Sequence, residues 1–313
     1  MDDREGDVVV AGGSVAGLSA ALMLGRARRR VVVLDSGEPR NRFAAHMHGV
    51  LGHEGTEPRQ LGARGREEVT AYGVELRTGS VEHVEDRGTT LAVHASDGSV
   101  LSCRALIVAT GIVDRLPDVP GLAERWGRSV LHCPYCHGWE VRDRRLGVLA
   151  TSPVALHQVQ LVRQWSDRVT FFSGGDPVDG DTERRLAARQ VDIVASPVVE
   201  VVGAGDGLRG VRTADGQLHE LDALFTMGAP EPRDGFLDGL RLDRRETPLG
   251  SFLDVDATGR TTHPRIWAAG NIVDPAANVP MAASTGAKAG AVVNMALVDE
   301  DFDRALDELG RVA

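Results

Sequence analysis

Short apolar runs that stop at glycine, each followed by a small-residue segment of helical period, organise this chain. Val8 to Val10 runs into Gly12 and Gly13. Ala16 and Gly17 then open a helix, and Val31 to Leu34 predicts a second strand that ends at Asp35. Strand, tight turn, helix and strand in that order make a Rossmann entry unit. A helix is expected over Gln60 to Tyr72. Alternating positions from Glu75 to Ala105 predict a small β-meander, with Ser96, Asp97 and Gly98 as a turn. Ala105 to Gly111, "ALIVATG", reads as a buried strand. After a Pro-rich link, Arg115 to Gly121, the segment Arg144 to Gly175 repeats strand, turn, helix and strand. Val191 to Leu224 reads as short strands, and Pro264 to Asp274 as a strand running into a loop. Val279 to Leu297 predicts a long helix packed closely through Gly286 and Gly290.

Length and charge narrow this picture. The chain has 313 residues, which suggests two domains, and 42% of them are hydrophobic, enough for sizeable cores. A net charge of −10 argues against nucleic acid, whose phosphates need a basic footprint. The run Arg26 to Arg30 reads as a solvated helix end. The acidic start "MDDRE" enters a strand directly, so no signal peptide is expected. No apolar run nears the roughly 20 residues of a membrane helix. The expected location is the cytoplasm, where a structural disulfide is disfavoured and a close thiol pair suggests redox, catalytic or metal chemistry.

The first turn reads Gly12-Gly13-Ser14-Val15-Ala16-Gly17. In a dinucleotide fingerprint the first glycine makes the turn, the second admits the pyrophosphate and the third lets helix and strand pack. Ser14 departs at the middle position, while Asp35 is placed to accept from ribose hydroxyls. A Gly-rich packing turn is the plainer alternative. The matching turn of the second unit reads "VLATSPVALHQ", with Ala150, Thr151 and Ser152 where glycines would stand. The next strand ends "TFFSGG", with no arginine pair for a 2′-phosphate and no terminal acid. This unit has the architecture of a nucleotide domain without its binding groups. The alternative is an unusual loop that still binds NADPH.

Between the two units lies "HCPYCHG", His132 to Gly138. A zinc site usually wants four ligands, and Cys103 falls in a presumed strand, so no metal is expected. A buried inert pair would not need flanking histidines. A C-x-x-C pair beside imidazoles suits redox work, because a nearby imidazole can take and return the thiol proton. His132 and His137 are both candidates for that base, and His132 serves equally well as a packing residue. His48 and His53 in "MHGVLGHEG" could line the site or simply be solvated. Asp274 reads as a turn residue before Pro275.

The order of "GGSVAG", "ATG", CxxC, "FTMGAPEP" and "WAAGN" resembles the low-molecular-weight thioredoxin reductases over essentially the whole chain. That resemblance implies an α/β fold of two Rossmann-like, three-layer ββα domains. It implies an FAD domain in two parts, residues 1–115 and 237–313, around a central CxxC domain, residues 116–236, and a homodimer. It assigns FAD contacts to Gly12, Gly13, Ser14, Ala16, Gly17, Asp35, Arg40, Gly111, Gly270, Asn271, Val279 and Pro280. Asn271 stands where the family has an aspartate. Cys133 matches the thiol that exchanges with substrate and Cys136 the one nearer the flavin. His137 occupies the place of the family's acid/base aspartate.

The missing NADPH groups and "CPYCHGWE" are similar to the dithiol oxidases of disulfide natural products of the gliotoxin and holomycin type. The likeness implies FAD-dependent closure of a small dithiol to a disulfide, with O₂ as acceptor, H₂O₂ as product and no use of NADPH. Two alternatives stay open. One is a disulfide reductase of thioredoxin-like proteins fed by NADPH, ferredoxin or another donor. The other is a non-catalytic flavin-bound sensor or scaffold.

Overall fold

The computed structural model describes residues 6–312; the acidic start Met1 to Glu5 and the terminal Ala313 lie outside them. In chain order the first elements are β1 (Gly6–Ala11), α1 (Val15–Arg26), β2 (Val31–Asp35), α2 (Pro58–Ala71), β3 (Glu75–Thr78), β4 (Val81–Asp86), β5 (Leu91–Ala95), β6 (Val100–Val108) and β7 (Ile112–Arg115). The middle of the chain gives β8 (Val130–Leu131), α3 (Pro134–His137), β9 (Leu146–Leu149), α4 (Ala155–Val162), β10 (Val169–Phe172), α5 (Gly180–Ala188) and β11 (Val191–Val194). It continues with β12 (Val198–Ala204), β13 (Gly207–Thr213), β14 (Leu218–Glu220), β15 (Ala223–Phe225) and β16 (Ala229–Pro232). The chain closes with β17 (Arg244–Thr247), β18 (Gly250–Leu253), β19 (Ile266–Ala268) and α6 (Val279–Val312).

These elements divide into two compact units. Unit 1 comprises Met1–Arg40, Arg59–Val113 and Pro232–Ala313; unit 2 comprises Asn41–Pro58 and Asp114–Glu231. The segment 41–58 thus groups with the CxxC unit, although sequence order places it inside the first FAD part. The physical reason is local. Its side chains, His48 and Phe43 among them, find their partners on residues 127–140.

In unit 1 the sheet order is β3-β2-β1-β6-β5-β4, and β19 also pairs with β6. Strands β1, β2, β3, β6 and β19 are parallel, as buried βαβ strands must be, and β4 and β5 add on antiparallel. Alternation along β1 sends Val8 and Val10 to one face and Val9 and Ala11 to the other. The first face packs α1 and α6; the second packs Val84, Leu91 and Val93 of the antiparallel arm. A Cβ at Gly286 or Gly290 would overlap the backbone of Ala16 or Ala20, so glycine is what lets α6 lie against α1.

Two differences from the sequence reading have physical causes. Residues 75–78 are not part of the meander but the parallel edge strand beside β2. Helix α6 runs 34 residues, well beyond Leu297. Its acidic stretch is held by tertiary ion pairs rather than marking an end. Arg104, only 6% exposed, meets Glu300 at 3.0 Å and Asp301 at 2.7 Å, and Arg265 meets Glu300 at 2.7 Å.

Unit 2 has three layers. A parallel sheet of order β11-β10-β9-β15-β8 is covered on one face by α4 and α5, through Val159, Val162 and Leu186. On its other face lies the antiparallel sheet β12-β13-β14, through Val198, Val201 and Val211. Full burial of Phe171, Phe172 and Phe225 anchors both interfaces, each side chain contributing about 1.5–3 kcal/mol. Among the described residues no helix is long and apolar enough to cross a membrane.

Candidate active site

Unit 1 holds a cavity of about 260 Å³ at the carboxyl ends of β1, β2 and β6. Ligands bind at such strand ends in open α/β sheets. Of the residues expected there, Gly12, Ser14, Ala16, Asp35, Arg40, Gly111, Gly270 and Asn271 line it. Gly12 has φ 103°, and its N–H donates to the Leu34 carbonyl at 2.7 Å. Gly17 lies beneath the lining. A Cβ there would overlap the Gly12 carbonyl oxygen, so it brings helix and turn together. Gly13 leaves room for the side chain of Asp35, and the Asp35 carboxylate accepts from Gly37 N–H at 3.1 Å. Ser14 is the N-cap of α1, and its side chain makes no capping bond, so the helix N-terminus opens toward the cavity.

Asn271 departs from the family pattern for a reason visible in its loop. Its Nδ2 donates to the carbonyls of Asp274 at 3.0 Å and Ala277 at 2.9 Å. A carboxylate would be repelled by the same carbonyls. Arg40 donates to the carbonyl of Pro275 at 2.8 Å, tying β2's loop to this one. Asp274 itself caps a turn, accepting from Ala276 N–H at 3.0 Å. Val279 and Pro280 do not line the cavity; they form the first turn of α6, capped by Asn278 accepting from Met281 N–H at 3.2 Å.

The cavity also takes in Thr110, Arg233 and Phe236, which sequence reasoning passed over. Thr110 Oγ1 is buried with no hydrogen-bond partner among the described residues. A buried hydroxyl aimed into a cavity that an α-helix N-terminus also faces fits a polar, phosphate-bearing cofactor. The "ATG" signature carried that signal in the sequence, but only the fold turns the hydroxyl inward.

The thiol pair belongs to unit 2. Cys133 is the N-cap of α3, with Pro134 at its first turn. The two Sγ atoms lie 2.8 Å apart and are half-buried. The backbone N–H groups of Cys136 and His137 both donate to the Cys133 carbonyl, at 3.1 and 3.2 Å. Positions four apart share a helix face, and a helical side chain leans toward the N-terminus. His137 is therefore set over the turn that begins at Cys133. A Cβ on Gly138 would overlap the Pro134 carbonyl and crowd Trp165, so glycine lets the short helix pack down.

The two flanking histidines have different surroundings. The His132 ring meets Trp126 edge-on at 6.2 Å, and its carbonyl accepts from Gln158 Nε2 at 2.8 Å. The His137 ring meets His48 edge-on at 6.5 Å. Burial pushes the His137 imidazole below its ordinary value; Glu140 opposes this and His48 reinforces it. His53 contributes only backbone bonds to its loop.

Cys103 is a third thiol of a different kind. It is fully buried in β6, and burial pushes its pKa up to about 12. Iodoacetamide should label Cys133 and Cys136 in the reduced folded protein and reach Cys103 only after unfolding. Mass spectrometry of the labelled peptides checks this.

At the turn between β9 and α4, Thr151 Oγ1 donates to the Met227 carbonyl at 2.6 Å and lies 3.2 Å from Thr226 Oγ1. Helix α4 begins only at Ala155, after Pro153.

Comparison with known proteins agrees with this architecture. Residues 6–290 match the pyridine nucleotide-disulphide oxidoreductase family. "Thioredoxin reductase tcpT" of Claviceps purpurea is 32% identical over 305 residues, covering 93% of this chain and 94% of that protein. "Thioredoxin reductase sirT" of Leptosphaeria maculans is 30% identical, covering 95% of each. The crystal structure of HlmI superposes with a TM-score of 0.95 at 44% identity, covering 100% of this chain and 98% of that one. The fold is that of a thioredoxin reductase-like oxidoreductase, the family implies FAD as cofactor, and this chain belongs to the pyridine nucleotide-disulphide oxidoreductase family.

Proposed function

We propose that the protein is an FAD-dependent dithiol oxidase that closes a small-molecule dithiol to an intramolecular disulfide, using Cys133 and Cys136, with O₂ as final acceptor. The observation that carries this reading is the β9–α4 turn. It has no glycine for close phosphate approach, and Thr151 ties it to the Met227 carbonyl, whereas the redox pair is intact. A pair that is kept while its nucleotide turn is lost fits electrons that enter as thiols rather than as hydride.

The chain's own residues then act as follows. The enzyme starts with Cys133 and Cys136 joined as a disulfide. His137 takes the proton of the first substrate thiol, and the thiolate attacks Cys133 Sγ. The Cys133–Cys136 bond breaks, and Cys136 leaves as a thiolate. The second substrate thiol loses its proton. Its sulfur attacks the substrate sulfur bound to Cys133, closing the product disulfide and releasing the Cys133 thiolate. Two electrons now reside on the pair, and two protons have passed to basic groups. FAD, when bound, would supply the two-electron acceptor that restores the enzyme disulfide, and O₂ would be the final acceptor, giving H₂O₂. Gly12, Ser14, Asp35, Thr110 and Asn271 would hold that cofactor.

The same reading includes a cytoplasmic homodimer. Met295, Phe302, Leu306 and Leu309 leave a strongly exposed apolar stripe along α6, of the kind a second copy would cover.

An anaerobic titration tests the oxidase reading. A small dithiol should bleach the flavin absorbance and NADPH should not. Admitting O₂ should restore the colour and yield one peroxide per disulfide formed. Rapid bleaching by NADPH would return the protein to the ordinary reductases.

A further inference from the structure

The redox helix has a neighbour that the mechanism above does not use. Residues 44–56 form a loop closed on itself, with Met47 N–H donating to Thr56 and Gly55 N–H donating to Met47, both at 2.9 Å. Gly49, Gly52 and Gly55 all have positive φ, which gives the loop its tight path. Inside it, Glu54 is fixed through both oxygens. One meets His48 Nδ1 at 2.7 Å and the other accepts from Gly49 N–H at 2.9 Å. The His48 side chain is one-fifth exposed. Its Nε2 lies 3.6 Å from Glu140 Oε1, and its ring stands edge-on to His137.

We infer that His48, oriented by Glu54, exchanges protons with His137, so that the loop of residues 44–56 is part of the acid–base apparatus of the thiol pair. The inference deepens the oxidase reading and rests on it for the number of protons. Each turnover removes two protons from the substrate dithiol, and one imidazole holds only one extra proton. His137 must therefore hand off the first before it accepts the second. Nδ1–H donated to Glu54 leaves His48 Nε2 as the exchanging atom. With the rings 6.5 Å apart, the exchange crosses one water or a small side-chain rotation. From Nε2 the proton passes to Glu140, 38% exposed, and so to solvent.

The charged and titratable groups facing His48 are Glu54, Glu140 and His137; those facing His137 are Glu140 and His48, with the thiols on its own helix. Two shifts agree with the geometry. The His48 bond, helped by Gly49 N–H, holds the Glu54 carboxyl below its ordinary range. Burial keeps His137 ready to release a proton.

His48 and Glu54 act through His137 and are positioning residues, so the test is a pH profile. The reduced holoenzyme is mixed in stopped flow with 4,4′-dithiodipyridine, a small disulfide that needs no flavin turnover. Wild type, His48→Gln and Glu54→Gln are compared from about pH 5 to pH 10, beside aerobic dithiol oxidation. His48→Gln should slow exchange by about tenfold near pH 7. The defect should shrink to within about twofold above pH 9, where hydroxide can ionise a thiol without a neighbouring base. Glu54→Gln should show the same pH-dependent defect, smaller. A defect equal at every pH, or none, overturns the relay. A protein that fails to oxidise dithiols but shows the pH-dependent defect keeps the relay and loses the oxidase reading. One that oxidises dithiols with no such defect does the reverse.

Discussion

Cys133→Ser should reduce dithiol-driven flavin bleaching by at least about a thousandfold, because a hydroxyl can neither form nor leave a mixed disulfide. Cys136→Ser should be as inactive in turnover but differ in what it accumulates. Cys133 remains able to exchange, and with no neighbouring thiol to resolve it, an asymmetric disulfide should leave it covalently modified. Intact-mass analysis reads the adduct directly: Cys136→Ser carries it and Cys133→Ser does not. An adduct on Cys133→Ser instead would reverse the roles given to the two thiols. Each substitution exchanges one half-buried sulfur for one oxygen and is nearly isosteric, so folding should be unaffected.

The second large effect is expected at Gly17. Any Cβ there would overlap the Gly12 carbonyl oxygen, and Gly12 in turn is held at φ 103° by its bond to Leu34. Gly17→Val must push α1 away from the turn, and with it the Ser14 N-cap and the helix N-terminus that line the cavity. The variant should purify without flavin, its affinity for added FAD lowered by more than about a hundredfold, roughly 2.7 kcal/mol or more. Gly17→Ala should fall between the two. Flavin absorbance of the purified protein and the melting temperature with and without added FAD check both. A Gly17→Val protein that retains bound flavin would mean that this turn does not hold it.

Much of this was legible in the residues. The two strand–turn–helix–strand units are local patterns, set by apolar period and by glycines at turns, and both appear where the pattern put them. The cavity lining at Gly12, Ser14 and Asp35 followed from the first of these units, and Gly270 from the family resemblance. Val279 and Pro280 were named by family resemblance and form the first turn of α6; Ala282, one turn further along, lines the cavity. Residues 298–312 were not read as part of the helix; the ion pairs that Glu300 makes with Arg104 of β6 and with Arg265, just before β19, join positions far apart in sequence.

By itself the sequence determined the βαβ framework, the thiol pair and its flanking imidazoles, and the loss of glycines from the second turn, because each depends on neighbours within a few residues. Only the tertiary structure set the two flanking histidines in different surroundings. His132 and His137 are equivalent in the string, yet one packs on Trp126 and the other meets His48. His48 lies 89 positions before His137 in the chain. No local period encodes that approach; it exists because residues 41–58 bury their contacts within the CxxC unit rather than the one that precedes them.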